Sequence, residues 1–518
     1  MPDRTNTISR INLSDFFIAF IFCAVFTTVS ALFSTLVLHW FILPVILCGV
    51  VIGADGVGWF RRKYDLFDPK GILGLLGLHY FFMSQILVVI WEIPVPATAI
   101  TLYDYRPWIG LIAIFHFFGL IIYRVVEKAV SRKPYNKTTT KAWIPNESRW
   151  VLVLTIFIVI ACIAQAYLVF ERGYIGRIAY DPSERVGIKG GTGIFRLLGS
   201  AGPVLLMMFL TLARNRISVR KSSFLATYIL LALMAGFAFF FGGLVGSRGA
   251  TIWSMFWIAG IIHFFWRRFT VKEALIGIFI TVLFMNIYGF FKKLGTEGLE
   301  IYRAEGWAVA ASESGVTMKG ILTGDLSRTT VHAYMAYVLV EKPYPYEYRW
   351  GKTIWGDILL QFPTWLYPNY YNRVSAGGKM LAGTDLMMGP GSLDPLDPFS
   401  KSRYVYGLTG QVMLNFGLLP IPLAFIILGY CIGKYRRALL NWETNDMKFL
   451  LAPVAINLLI IILTHDLDNM LYTIIFRAAL PFMIIWISTI RIPKYLLNKQ
   501  KDYATKLKNP LPLYQQAY

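Results

Sequence analysis

The stretch DFFIAFIFCAVFTTVSALFSTLVLH, residues 15–39, decides what kind of chain this is. Between Asp15 and His39 no residue carries a full charge. The run matches the roughly 20 apolar residues that cross a bilayer core of about 30 Å as helix. It is too long for a cleaved signal peptide and has no clear small-residue cleavage site, so it reads as a span. Blocks of the same kind recur along the chain. They are continuous rather than alternating, and a backbone in lipid must pair within a helix or a closed barrel, so helices are expected. Composition agrees, with 56% hydrophobic residues, only 15% charged residues and a mean hydropathy of +0.55. The expected fold class is an all-α polytopic membrane protein.

Twelve spans are expected, centred on 15–38, 40–59, 71–91, 108–125, 150–170, 194–213, 223–244, 250–266, 273–291, 415–433, 449–464 and 470–490. The net charge of +21 invites a nucleic-acid reading, but 30 of the 50 Lys and Arg residues lie in seven links on one side of this arrangement. That is the pattern of cytoplasmic loops, so no nucleic-acid partner is expected and both termini are placed in the cytoplasm. Cys23, Cys48, Cys162 and Cys431 all fall in apolar blocks without metal-ligand spacing, which argues against a disulfide framework.

The organisation follows. Residues 1–291 hold nine spans and a smaller external loop at 171–196. Residues 292–405 form a large external loop, which in a diderm bacterium is periplasmic. Residues 406–490 hold three spans, and 491–518 form a basic tail. The large loop is too polar and proline-rich for a span, and a segment of this length between spans is usually functional. Within it, Ser327–Val340 reads as a helix capped by Asp325 or Ser327 and stopped by Pro343-Tyr344-Pro345. Lys352–Phe362 reads as a second, amphipathic helix ending before Pro363. The Gly-, Ser-, Asp- and Pro-rich 374–402 reads as an irregular lid.

Three constellations carry candidate chemistry. Gly246-Ser247-Arg248-Gly249 is a turn between two spans, where Arg248 is either a snorkelling side chain or a bidentate phosphate ligand. In Asp325-Leu-Ser-Arg328-Thr-Thr-Val-His332, Arg328 and His332 share a helix face, and Asp325 is either a cap or a general base beside an anion site. His465-Asp466-Leu-Asp468-Asn469 lies between the last two spans, with Arg477 inside the last one. There the alternatives are a packing ion pair of Arg477 with Asp466 or Asp468, and a functional intramembrane charge. No Walker loop, dinucleotide turn or zinc motif is present, so no cofactor and no metal are expected.

Motifs spread over most of the chain carry a resemblance. They are Leu66-Phe67-Asp68-Pro69, Gly190-Gly191-Thr192-Gly193, Gly246-Ser247-Arg248-Gly249, and Tyr348-Arg349-Trp350-Gly351-Lys352-Thr353 followed by Phe362-Pro363 and Tyr367-Pro368. Asn415-Phe416-Gly417, entering a late span, completes the set. In this order the chain resembles the Wzy-type polymerases of O-antigen and other oligosaccharide repeat units. It departs from them at Thr364, where an arginine is usual, and at Asn369-Tyr370, where Lys-Pro is usual. Arg373 stands near enough to supply the missing charge.

The resemblance implies a GT-C-like fold and a metal-independent, inverting glycosyl transfer at the periplasmic face. A growing glycan on undecaprenyl pyrophosphate would pass to the non-reducing end of an incoming lipid-linked repeat unit, with a chain-length-regulating co-polymerase as a further partner. Arg248, Arg328, Arg373, Arg477, Arg185 and Lys352 would bind pyrophosphate and glycan. Asp325 or His332 would be the base, with Asp466 behind it. Trp350, Trp355, Trp365, Tyr367, Tyr370 and Tyr371 would stack on sugars or rest at the bilayer interface. An O-antigen ligase and a lipid-linked oligosaccharide flippase are the rival readings.

Overall fold

The computed structural model describes residues 13–94, 102–133, 141–172, 192–216, 224–243, 248–294, 300–306, 309, 317–362, 379–391, 405–442 and 446–493. Four helices come first: α1 (Leu13–Phe33), α2 (Ile42–Phe60), α3 (Pro69–Ile90) and α4 (Arg106–Ser131). A short strand, β1 (Lys141–Pro145), leads into α5 (Glu147–Arg172), α6 (Thr192–Arg216), α7 (Leu225–Gly243), α8 (Arg248–Trp266) and α9 (Val271–Leu294). The long segment contributes a helical turn at Met318–Gly320, a π-helical Ile321–Asp325, α10 (Thr329–Glu341), α11 (Lys352–Leu359) and α12 (Lys379–Met388). The chain closes with α13 (Gly407–Phe416), α14 (Ile421–Asn441), α15 (Met447–Thr464), α16 (Leu467–Ser488) and β2 (Thr489–Pro493).

Ten of these helices are long and apolar enough to cross a membrane, so the protein is a multi-pass, mostly helical membrane protein. The other two expected spans correspond to α6 and α14, which fall short of that measure. Of α6, the continuous stretch whose side chains are described is Leu197–Leu212, which is apolar throughout most of its length, and α14 carries Lys434, Arg436 and Arg437 towards its end. The expected span 415–433 is also broken. Gly417 takes φ +83, a conformation glycine tolerates, and separates α13 from α14. The helices are accompanied by one short strand pair: β1 and β2 run antiparallel, Lys141 opposite Pro493, and tie the start of α5 to the end of α16. The segment expected to be irregular at 374–402 contains α12, whose Ala382, Leu386 and Met387 are fully buried.

Two cores organise the helices. One holds α2, α3, α4, α10, α12, α13 and α14 together around Phe41, Phe82, Tyr334, Met413 and Phe425. The other gathers α5, α6, α8 and α16 around Trp150, Met208, Ile261 and Ile484. Small residues set the spacing, as expected where dispersion rather than hydrophobicity drives helix association. A methyl group on Gly74 of α3 would lie 2.3 Å from the backbone nitrogen of Gly56 in α2.

At the end of the first core nearest the 60–70 link lies a charge network the sequence reading did not anticipate. Lys70 Nζ reaches Glu127 at 2.7 Å and Asp55 at 3.8 Å, and Arg124 reaches Asp55 at 2.8 Å. Arg436 bridges Asp68 at 2.8 Å and Glu127 at 3.1 Å. Three cations meet three carboxylates, so the network is neutral while fastening α2, α3, α4 and α14. Asp68 also caps α3 by accepting from Lys70 N, which gives the Leu-Phe-Asp-Pro motif a structural role.

Two predictions follow from this packing. Arg436→Leu leaves two buried carboxylates underpaired and should cost about 3–5 kcal/mol, read as a lowered melting temperature in detergent. Gly74→Val should likewise lower folded yield, whereas Gly277→Ala, with nothing within 4 Å of its added methyl, should not.

Candidate functional site

The long segment does not simply cover the bundle; it enters it. Lys319 reaches over the Trp91 ring at the far end of α3. Four positions on from Met318, the Leu322 carbonyl accepts a hydrogen bond from His79 Nε2 at 2.9 Å. His79 is the eleventh of the 22 residues of α3, about 15 Å along it at 1.5 Å per residue. The chain then turns. Thr329 meets Ser84 of α3 at 3.2 Å, His332 packs 6.1 Å from the ring of His116 midway along α4, and Tyr337 returns to Trp108 near the start of α4. Residues 318–341 are thus a re-entrant hairpin, a shape tolerated at this depth only where protein surrounds it and its backbone is paired.

Its tip carries two of the candidate residues. Asp325 accepts from Arg248 Nη2 at 2.7 Å, which brings the Gly-Ser-Arg turn and the hairpin together. Both side chains are about one-third exposed, 33% and 35%. Asp325 therefore does not cap α10. Ser327 Oγ accepts from Thr329 N instead, at 3.1 Å. Arg328 folds its Nη1 onto the carbonyls of Gly324 and Ser327, both at 2.6 Å, and so satisfies the acceptors of the tip.

The other two candidate bases hold one peptide from opposite sides. His332 Nε2 lies 2.7 Å from the Tyr406 carbonyl oxygen, so it carries the proton and donates. Asp466 Oδ1 accepts from the amides of Tyr406 at 2.9 Å and Gly407 at 2.8 Å. Both side chains are buried. Gly407 has φ +65, and a methyl there would lie 2.6 Å from the Leu463 carbonyl oxygen. This clamp ties α10 to the start of α13 and to the α15–α16 turn.

The remaining candidates are scattered. Lys352 is exposed in the first turn of α11. Arg477 does not form the expected ion pair with Asp466 or Asp468. Its guanidinium rests 5.8 Å from the Tyr472 ring and has no carboxylate partner among the described residues. Arg185, Arg373, Trp365, Tyr367, Tyr370 and Tyr371 lie outside the described residues. Trp350 and Trp355, 73% and 61% exposed, share an outer surface with Phe416, whose ring is 6.1 Å from that of Trp350.

One assembly was missed at the level of single residues. Asn415 Oδ1 accepts from Gly351 N at 2.9 Å, and its Nδ2 donates to Thr353 Oγ1 at 2.5 Å. Gln411 Nε2 donates to Asp357 at 2.7 Å, and its Oε1 accepts from Leu467 N at 3.2 Å. The Tyr-Arg-Trp-Gly-Lys-Thr and Asn-Phe-Gly stretches are therefore one unit, with α11 fixed across α13 and α16. Glycine after tryptophan was the available signal: Gly351 takes φ +87 and presents its amide to Asn415. Comparison of the chain with protein-family models, curated proteins and solved structures finds no match.

The clamp makes a stability prediction. His332→Leu leaves the buried Tyr406 carbonyl unpaired and should cost about 1–3 kcal/mol, read as a lowered melting temperature in detergent, while His332→Gln, which keeps a donor, should lose less. Gly407→Ala should lower the melting temperature as well.

Proposed function

We propose that this protein polymerises oligosaccharide repeat units carried on undecaprenyl pyrophosphate, by inverting glycosyl transfer at the periplasmic face of a bacterial inner membrane. The observation that carries this reading is the Arg248–Asp325 pair. It joins the turn and the loop that the resemblance had singled out separately, and it sits where the re-entrant hairpin meets the mouth of α8. No metal and no cofactor take part. Both termini lie on the cytoplasmic side, as the positive links require.

The chemistry follows from these two side chains. With no substrate present, Arg248 neutralises Asp325. An arriving pyrophosphate competes for the guanidinium, which binds phosphate oxygens bidentately, and this frees the carboxylate. Asp325 then takes the proton of the acceptor hydroxyl as that oxygen bonds to the donor's anomeric carbon. The bond from this carbon to pyrophosphate breaks, and the electron pair leaves with undecaprenyl pyrophosphate, stabilised by Arg248 and Arg328. His332 and Asp466 act as positioning residues through the Tyr406 clamp. Lys352, exposed in the first turn of α11, is a further cation for the glycan-bearing lipid.

The test is replacement of Arg248 by Ala and of Asp325 by Asn in the producing bacterium. An exposed pair of this kind contributes only about 0–1 kcal/mol, so membrane levels of both variants should stay near wild type. The polysaccharide ladder on gels should collapse to single capped repeats. An unchanged ladder overturns the assignment, and loss of all capping, single repeats included, points to a ligase instead.

A further inference from the structure

A narrow cleft lies between α6, α8, α15 and α16, within the second half of the bundle. Arg477, Asn457, Ser200, Ser254, Trp253 and Trp257 line it, together with small apolar side chains. No carboxylate is among its lining residues. Its cavity volume is about 20 Å³. That is room for one water-sized body and not for a phosphate, still less a pyrophosphate.

Two side chains in this cleft are conspicuously unmatched. The guanidinium of Arg477 has no anionic partner among the described residues, although an uncompensated charge within a span is costly. Asn457 is 3% exposed, and its Oδ1 is buried without a hydrogen-bond partner. A half-turn of that amide would exchange the unpaired oxygen for two N–H donors. Two of the neighbouring groups are already committed. Ser200 donates to the carbonyls of Leu197 and Phe476, and Trp257 Nε1 donates to the Leu450 carbonyl. What is left is a cation, an unengaged amide and space for one small body.

We infer that this cleft binds a monatomic anion, chloride under ordinary conditions, as the fixed counter-charge of Arg477. Size excludes oxyanions, and charge and hydrogen bonding favour an anion over water. The bound ion joins α8 and α15 to α16 through the middle of the bundle. This inference is independent of the glycosyl-transfer reading and removes Arg477 from the pyrophosphate site.

The full-length protein, purified in detergent, tests it by thermal unfolding at constant ionic strength in sodium chloride, bromide, gluconate or phosphate. Chloride and bromide should raise the midpoint saturably, in the form RT ln(1 + [L]/Kd), and gluconate and phosphate should not. Asn457→Asp places a carboxylate beside Arg477. It should melt at or above the wild-type temperature in chloride and lose its dependence on chloride. Arg477→Gln should also lose the dependence. Equal midpoints in chloride and gluconate for the wild type overturn the inference. So does a chloride response that survives in Asn457→Asp, which decides the matter if Arg477→Gln does not fold. A saturable response to phosphate in place of chloride would overturn it as well.

Discussion

Backbone that enters an apolar bundle must bring partners for its own amides and carbonyls, and that constraint shapes the working half of this protein. The re-entrant hairpin meets it in three ways. His79 covers a carbonyl on the way in, Arg328 covers two at the tip, and α10 pairs its own backbone on the way out. Each partner is a polar side chain at a depth where such residues are expensive, so each is there for a reason. The result is a rigid tip that carries Asp325 to Arg248.

Rigidity at the tip depends in turn on the Tyr406 clamp. His332 and Asp466 spend their hydrogen-bonding capacity on one peptide, and the Asn415 and Gln411 side chains add the links to α11 and α16. Four stretches far apart in sequence converge there. At the other end of the same core, six alternating charges hold α2, α3, α4 and α14 in register. One end is locked by a neutral, buried network, while the other keeps its ion pair one-third exposed. The contrast leaves the Arg248–Asp325 pair open to water while the opposite end of the same core is closed to it.

Much of this was legible before any coordinates. Blocks such as 15–39 are long, apolar and uninterrupted, and only helices satisfy such backbone in lipid. Arg248 and Asp325 were singled out from local pattern, each within its own motif. Their pairing was not legible, because 77 positions separate them and no periodicity links a turn to a loop. His332 and Asp466 looked like free bases for the same reason, since the backbone of Tyr406 carries no mark in sequence of who binds it. Arg477 seemed matched to nearby aspartates, yet Asp466 turns toward the clamp.

The sequence by itself determined the class of protein and the place of most spans, and it named the side chains whose placement was worth following. These depend on composition and on the local geometry of a helix, which a string of residues carries directly. Only the tertiary structure decided that the long segment dives into the bundle, that Asp325 faces Arg248, and that Arg477 has no carboxylate partner among the described residues. Those facts depend on which buried polar groups find each other across the fold, and pairing between distant segments is settled by packing rather than by any local pattern.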